Sequence, residues 1–203
     1  RGKILDKHPL FIAGVDYNQK ARIATRKKMK SEDIWAKIEF GDISNPASLN
    51  EMLLEKHEIE LGDLLNTRTF LDHNRPWSHP NQLEANRISK SQGAFAHNGK
   101  RLNNSLVEQN LKEHFEKWAP YVKKFGLLLI ELHTINPSIT SANLGLTAAT
   151  AYDATHGFSD QYILELDVFQ EVLSEIGMNI DQKHFSKFPN NELATVSINY
   201  LKI

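Results

Sequence analysis

The sequence predicts an α/β sandwich around a mostly parallel sheet, with helices on both faces and an antiparallel last strand. Three observations carry that reading. Apolar runs that stop at polar residues alternate with segments of helical spacing. The clearest run, Leu127-Leu128-Leu129-Ile130-Glu131-Leu132-His133, has the near-continuous apolar character of a buried strand. The final run, Leu193 to Leu201, largely alternates apolar and polar residues, as an antiparallel strand with one covered face does.

In chain order, Phe11-Ile12-Ala13-Gly14-Val15 reads as a strand that ends at Asp16, and Gln19 to Lys30 as a basic helix on which Arg26, Lys27, Lys28 and Lys30 form a solvated face rather than a nucleic-acid patch. Trp35 to Phe40 reads as a second, half-exposed strand that stops at Gly41-Asp42. Ser44-Asn45-Pro46 starts a helix with Leu49, Met52, Leu53 and His57 on one stripe. A third strand is expected within Asp63 to Phe70, before the polar cluster Asp72-His73-Asn74-Arg75. Residues 78–100 are loop-like, and a connection of that length is usually functional or mobile. The helix after it buries Leu111, Phe115, Trp118 and Val122 and leaves Glu108, Lys112, Glu113 and Glu116 outside, with Pro120 kinking or ending it. Ser138 to Thr155 is expected to be one close-packed helix with a break at Gly157. Tyr162 to Ile176 returns to helical spacing and ends at Gly177.

Composition narrows the function. A net charge of −1 advertises neither nucleic acid nor an acidic membrane as partner. The absence of cysteine excludes disulfides, thiolate metal sites and cysteine catalysis, and suits a cytoplasmic protein. No apolar run approaches the roughly 20 residues that span a bilayer. One domain over residues 1–203 is expected, with a lid-like insertion around 78–125.

Ligands of open α/β sheets sit beyond the carboxyl ends of the strands. Asp16 there could accept both hydroxyls of a ribose, or it could cap the helix that follows. Asp42 ends the next strand, so two carboxylates would line one rim. His73, His133 and His156 are candidates for proton transfer or metal ligation. His156 and Gln161 flank a polar turn that could supply two ligands to one ion, while Asp153, Asp160 and Gln161 could equally cap helices.

Gly14-Val15-Asp16-Tyr17-Asn18 and Gly41-Asp42-Ile43 resemble the second and third strand ends of class I S-adenosylmethionine-dependent methyltransferases, a Rossmann-like fold. Phe70 to Pro76, Leu129 to Thr134 and Ala151 to Tyr162 resemble, more narrowly, the apratoxin-type polyketide synthase loading-module methyltransferases. The resemblance implies Gly14, Asp16, Asp42, Ile43 and Thr69 at the cofactor, and His73, His133 and Tyr152 in catalysis. It also implies Mn or Fe on His156 and Gln161, and C-methylation of an acyl or malonyl-type thioester on an acyl carrier protein. The family's first strand and glycine-rich turn have no counterpart in residues 1–15, so a piece of a longer protein is expected. A nucleotide-cofactor oxidoreductase and a non-catalytic methyltransferase-like domain remain as the other classes.

Overall fold

A computed structural model describes residues 7–84 and 86–203. The chain divides between Asn45 and Pro46 into two compact units. The first is a β-α-β unit: strand β1 (Ile12–Val15), helix α1 (Gln19–Ser31) and strand β2 (Ala36–Glu39), with the strands parallel and Gly14 opposite Ile38. A Cβ at Gly14 would come 2.6 Å from Ile38 Cδ1, the flexible end of that side chain. The cap of α1 is Asn18 rather than Asp16; its Oδ1 accepts the amides of Lys20 at 2.9 Å and Ala21 at 3.3 Å. Lys27, Lys28 and Lys30 are exposed, whereas Arg26 turns back to donate from Nε to the Ile38 carbonyl at 3.0 Å.

The second unit opens with α2 (Pro46–His57), then β3 (Asn66–Thr69), a short hairpin of β4 (Ala96–His97) and β5 (Lys100–Arg101), and the long helix α3 (Asn104–Val122). Strand β6 (Leu127–Leu132) is followed by α4 (Pro137–Ala142), α5 (Ala149–Phe158) and α6 (Leu166–Glu175). Strands β7 (Asn179–Ile180), β8 (Ser186–Phe188) and β9 (Val196–Lys202) complete it. The sheet runs β3-β6-β9-β7, with β8 also on β9. β3 and β6 are parallel; β9 is antiparallel to β6, Leu127 facing Leu201 and Leu132 facing Val196. This is the Rossmann-like α/β arrangement with an antiparallel C-terminal strand.

Local sequence explains most of these elements. Pro46 takes the first helical position, and Leu49 and Leu53 bury the predicted stripe of α2, flanked by half-buried Met52 and His57. Asn103 caps α3 by accepting the Ser105 amide at 3.0 Å, and Pro120 falls in the helix's last turn. Gly126 leads into β6 with φ +77°, and a Cβ there would lie 2.5 Å from the Leu201 carbonyl oxygen. Glycine alone suits that corner.

Four expectations need correction. Glu108 is not outside: it is 2% exposed, because it holds the preceding segment down. Its carboxylate accepts from Arg87 Nε at 3.0 Å, from the amides of Lys90 and Ser91 at 3.2 Å each, and from the Ser89 hydroxyl. The single helix expected over 138–155 is two, parted at residues 143–148 where Gly145 has φ +79°, and α5 runs on through position 157. Residues 162–165 are extended rather than helical, with Glu165 bridged to Thr134. Finally, the most deeply buried side of β9 carries Ser197 and Asn199, both 0% exposed, beside Leu201. Ser197 points inward to His133, and Asn199 donates to the Ser197 hydroxyl.

Candidate active site

The parallel pair β3–β6 ends in a cluster of buried polar side chains. Phe70, just after β3, has φ +55°, a left-handed conformation that a bulky residue rarely adopts. Its amide still donates to the Ile130 carbonyl at 2.8 Å, so the sharp change of direction comes after that bond. The next turn, Asp72–Asn74, is thereby brought onto Glu131 of β6.

Glu131 is 2% exposed and takes four hydrogen bonds. Its Oε2 accepts the amides of Asp72 at 2.9 Å and His73 at 3.2 Å. Its Oε1 accepts the Leu132 amide at 2.7 Å and pairs with His73 Nδ1. With Nδ1–H donating to the carboxylate, the lone pair of the His73 ring is on Nε2. A space of about 10 Å³, the size of one water, lies among His73, Glu131, Arg75, Tyr162, Leu164 and Phe169.

A second layer holds this pair in place. Arg68 Nη1 donates to Asp72 Oδ1 at 2.7 Å, and His114 Nε2 meets the same oxygen at 2.8 Å. The Arg68 guanidinium lies over the Trp118 ring, 4.2 Å from its centroid, so an aromatic face covers the nitrogens that Asp72 does not take. Arg75 donates to the Asp72 carbonyl at 2.9 Å, to Asn110 Oδ1 at 2.6 Å and to the Val107 carbonyl at 3.2 Å. Burial pushes Asp72 up, but Arg68, His114 and Arg75 together outweigh it and hold it below the usual carboxylate range. Burial lowers Arg75 to about 10 against the pull of Asp72 and Glu131. It lowers His114 to about 4 against Asp72, so His114 is neutral at ordinary pH.

His133 and His156 are both buried. His133 is 0% exposed; its Nε2 meets Ser197 Oγ at 2.6 Å, which also accepts from Asn199 Nδ2 at 2.6 Å, and its Nδ1 faces the Leu164 carbonyl at 3.3 Å. Burial lowers it to about 3. His156 is likewise 0% exposed, stacked 4.5 Å from Phe95, and its Nε2 accepts the Ile163 amide at 3.1 Å. Burial, then the neighbouring His73, lowers it to about 4. The ring hydrogen is therefore on Nδ1, which lies 3.6 Å from Asp153 Oδ1 and is buried without a hydrogen-bond partner. Gln161 is half-buried, and among the described residues no three His, Cys, Asp or Glu lie together as a metal site requires. With Nε2 accepting the Ile163 amide, the lone pair of the His156 ring is taken in this arrangement. Tyr152 is half-buried on α5, where its carbonyl accepts the Thr155 hydroxyl at 2.7 Å.

Four of the five cofactor candidates fall together in the first unit. Asp16 follows β1, half-buried, and accepts the Asn18 amide on Oδ1 at 2.6 Å. Asp42, exposed, accepts the Ser44 amide at 2.8 Å, with half-buried Ile43 between them. Each carboxylate keeps acceptor capacity beyond that one bond, which suits hydroxyl and amino donors of a nucleoside. Gly14 lies in β1, and Thr69 is exposed at the end of β3 in the second unit.

The sequence reading passed over Glu131, Asp72, Arg75 and Arg68. Their signal was available: a lone Glu inside Leu-Leu-Leu-Ile-Glu-Leu is too costly to bury without several donors.

No curated protein matches the chain significantly. Among solved structures, one described as a pericyclic reaction enzyme aligns with 98% of the chain and 38% of its own length, at 7% identity and a TM-score of 0.51. A variant of LepI in complex with SAH and a substrate analogue aligns over the same shares, at 7% identity and a TM-score of 0.52. The chain thus spans well under half of these proteins, and the likeness is one of fold. A family model described as the AprA MT2-like domain matches residues 1–199, and with nearly the whole sequence covered the chain belongs to that family of methyltransferase domains.

Proposed function

We propose that this domain serves S-adenosylmethionine-dependent methyl transfer to carbon, the acceptor being an acyl or malonyl-type thioester borne on an acyl carrier protein. The observation that carries the reading is the buried His73–Glu131 pair at the carboxyl ends of β3 and β6. Bound S-adenosylmethionine supplies an electrophilic methyl group on a positive sulfur. Asp16 would hold the ribose hydroxyls, with Asp42 and Ile43 at the adenine and Gly14 keeping the approach open.

A carbon acceptor has to lose a proton, and His73 is built to take it. Glu131 fixes the tautomer, which leaves Nε2 as the base. It also stabilises the imidazolium that forms, as a buried carboxylate beside a histidine does. Arg75 shares the lining of the same space and provides a fixed positive charge for the enolate oxygen. The negative charge that develops at carbon is thereby spread to an oxygen while the methyl group transfers. No step uses a metal, in keeping with the donor arrangement at His156.

The test is Glu131→Gln in the full protein, assayed by methyl incorporation into a carrier-bound malonyl or acyl thioester. General-base contributions are typically 10²–10⁴-fold, so turnover should fall within that range while S-adenosylhomocysteine affinity is unchanged. Undiminished turnover in Glu131→Gln and in His73→Ala would defeat the assignment.

A further inference from the structure

We propose that the cavity at the amino-terminal end of α6 is a binding site for a small organic cation, an ammonium group on an apolar stem, with Glu165 as its receptor. The cavity measures about 420 Å³, a size typical of small-molecule sites. Ile135, Ile139, Leu166, Val168, Phe185 and Ala194 give it apolar walls. Glu165 is the buried acid of the lining, at 7% exposure.

Three features point from Glu165 to a ligand. Its Oε1 accepts the Gln92 amide at 2.7 Å, while Oε2 is buried and has no hydrogen-bond partner. It occupies the cap position of α6, yet its side chain makes no capping bond to the helix. A buried carboxylate oxygen left unpaired is costly, and folds rarely keep one without use. Burial, reinforced by Asp167, raises Glu165 above the usual carboxylate range, against the opposing effect of the Gln92 amide and the Ser91 hydroxyl.

The surrounding charges do not supply the missing cation. Besides Asp167, the lining carries Lys90, Lys187 and Glu192. Lys90 is engaged with Glu171 at 2.6 Å, and Lys187 has left Glu165 Oε2 unbonded. An ammonium offers both the opposite charge and a donor, and a charge-assisted bond of this kind is about twice as strong as a neutral one. Its stem would cover the apolar walls. A neutral alcohol of equal length would gain the walls without the charge. Tyr162 and Leu164 line the small space at His73, whereas Glu165, next in the same extended segment, lines this cavity. The proposal therefore stands or falls independently of methyl transfer.

The experiment titrates the full protein with n-hexylammonium and with 1-hexanol, followed by calorimetry and by backbone amide shifts. At pH 7.5 the amine should bind at least tenfold more tightly than the alcohol, with the largest shifts at residues 135–139 and 165–168. Glu165→Gln should bring the two affinities together, whereas Asp167→Asn, at an exposed position, should keep most of the difference. If Glu165→Gln does not fold, wild-type pH dependence decides: protonation of Glu165 removes the partner, so amine affinity should fall on acidification while alcohol affinity does not. Equal affinity for the two probes in the wild type, shifts centred elsewhere, or no binding of either at millimolar concentration would overturn the proposal.

Discussion

The strand ends of the two units hold their acids in opposite ways. Asp16 and Asp42 accept amides two residues ahead, in turns of their own making, and remain half-buried or exposed. Asp72 and Glu131 are 1% and 2% exposed; Asp72 is held by His114, 42 positions away, as well as by Arg68 four residues before it, and Glu131 by residues 58 and 59 positions away. The first pair can be offered to a ligand at little cost to the fold. The second is part of the fold, and a ligand can use it only through the ring of His73. Acids satisfied locally are recognition groups in waiting; acids satisfied at long range fix the geometry of something else.

The contrast breaks most visibly at Arg68. Arg68→Ala leaves Asp72 buried with one strong donor fewer, and loss of one member of a buried pair typically costs 3–5 kcal/mol. Urea denaturation should show that loss, and a change below about 1 kcal/mol would mean that Asp72 is not held as the geometry indicates. The second test uses pH. His114, His133 and His156 are held neutral down to about 4, 3 and 4, below the ordinary value near 6.5. The unfolded chain therefore takes up protons first as pH falls through 6.5, and stability present at pH 7 drains away towards pH 4. At roughly 1 kcal/mol per histidine per pH unit, unfolding free energy should drop by about 3 kcal/mol between pH 6.5 and 5.5. The slope should be shallower in His156→Asn, and a flat profile would show that these rings are protonated in the fold.

In the first unit the effects should be smaller and should fall on binding. Asp16→Ala should weaken S-adenosylhomocysteine by about 1.5–3 kcal/mol in calorimetry of the full protein, with little change in unfolding midpoint. Unchanged affinity would remove Asp16 from the site. Asn18→Ala removes the α1 cap and should cost about 1 kcal/mol of stability, read in the same denaturation series. An Asn18 effect as large as that of Arg68 would erase the distinction between acids held in the open and acids built into the fold.

That distinction also explains what the sequence disclosed. Strand ends at Asp16, Asp42 and His133, the stripe of α2 and the apolar face of α3 follow from periodicity and caps within a few residues. What stayed hidden depended on pairing across the chain. The charges of α3 could not be sorted into exposed and buried without knowing that Ser89, Lys90 and Ser91 return to Glu108. The alternation of β9 was legible but its inward face was not, since Ser197 and Asn199 face inward towards a histidine on another strand. Small residues suggested one helix where Gly145 divides two, because composition does not say where a chain turns. His156 drew attention as a ligand, and only its bond to the Ile163 amide reveals that the lone pair on Nε2 is taken.

The clasp at Glu108 has a bearing on how this family can vary. Besides Arg87 and the Ser89 hydroxyl, the carboxylate grips the segment through the main-chain amides of Lys90 and Ser91, groups that every residue except proline offers. The side chain at position 90 is therefore free to drift without loosening these bonds, so long as it does not become proline, whereas Ser91 is buried and its hydroxyl accepts the Gly93 amide. A stretch that looks unconstrained when read letter by letter can keep one shape through many rewritings, with the constraint stored in a single acid on the helix behind it.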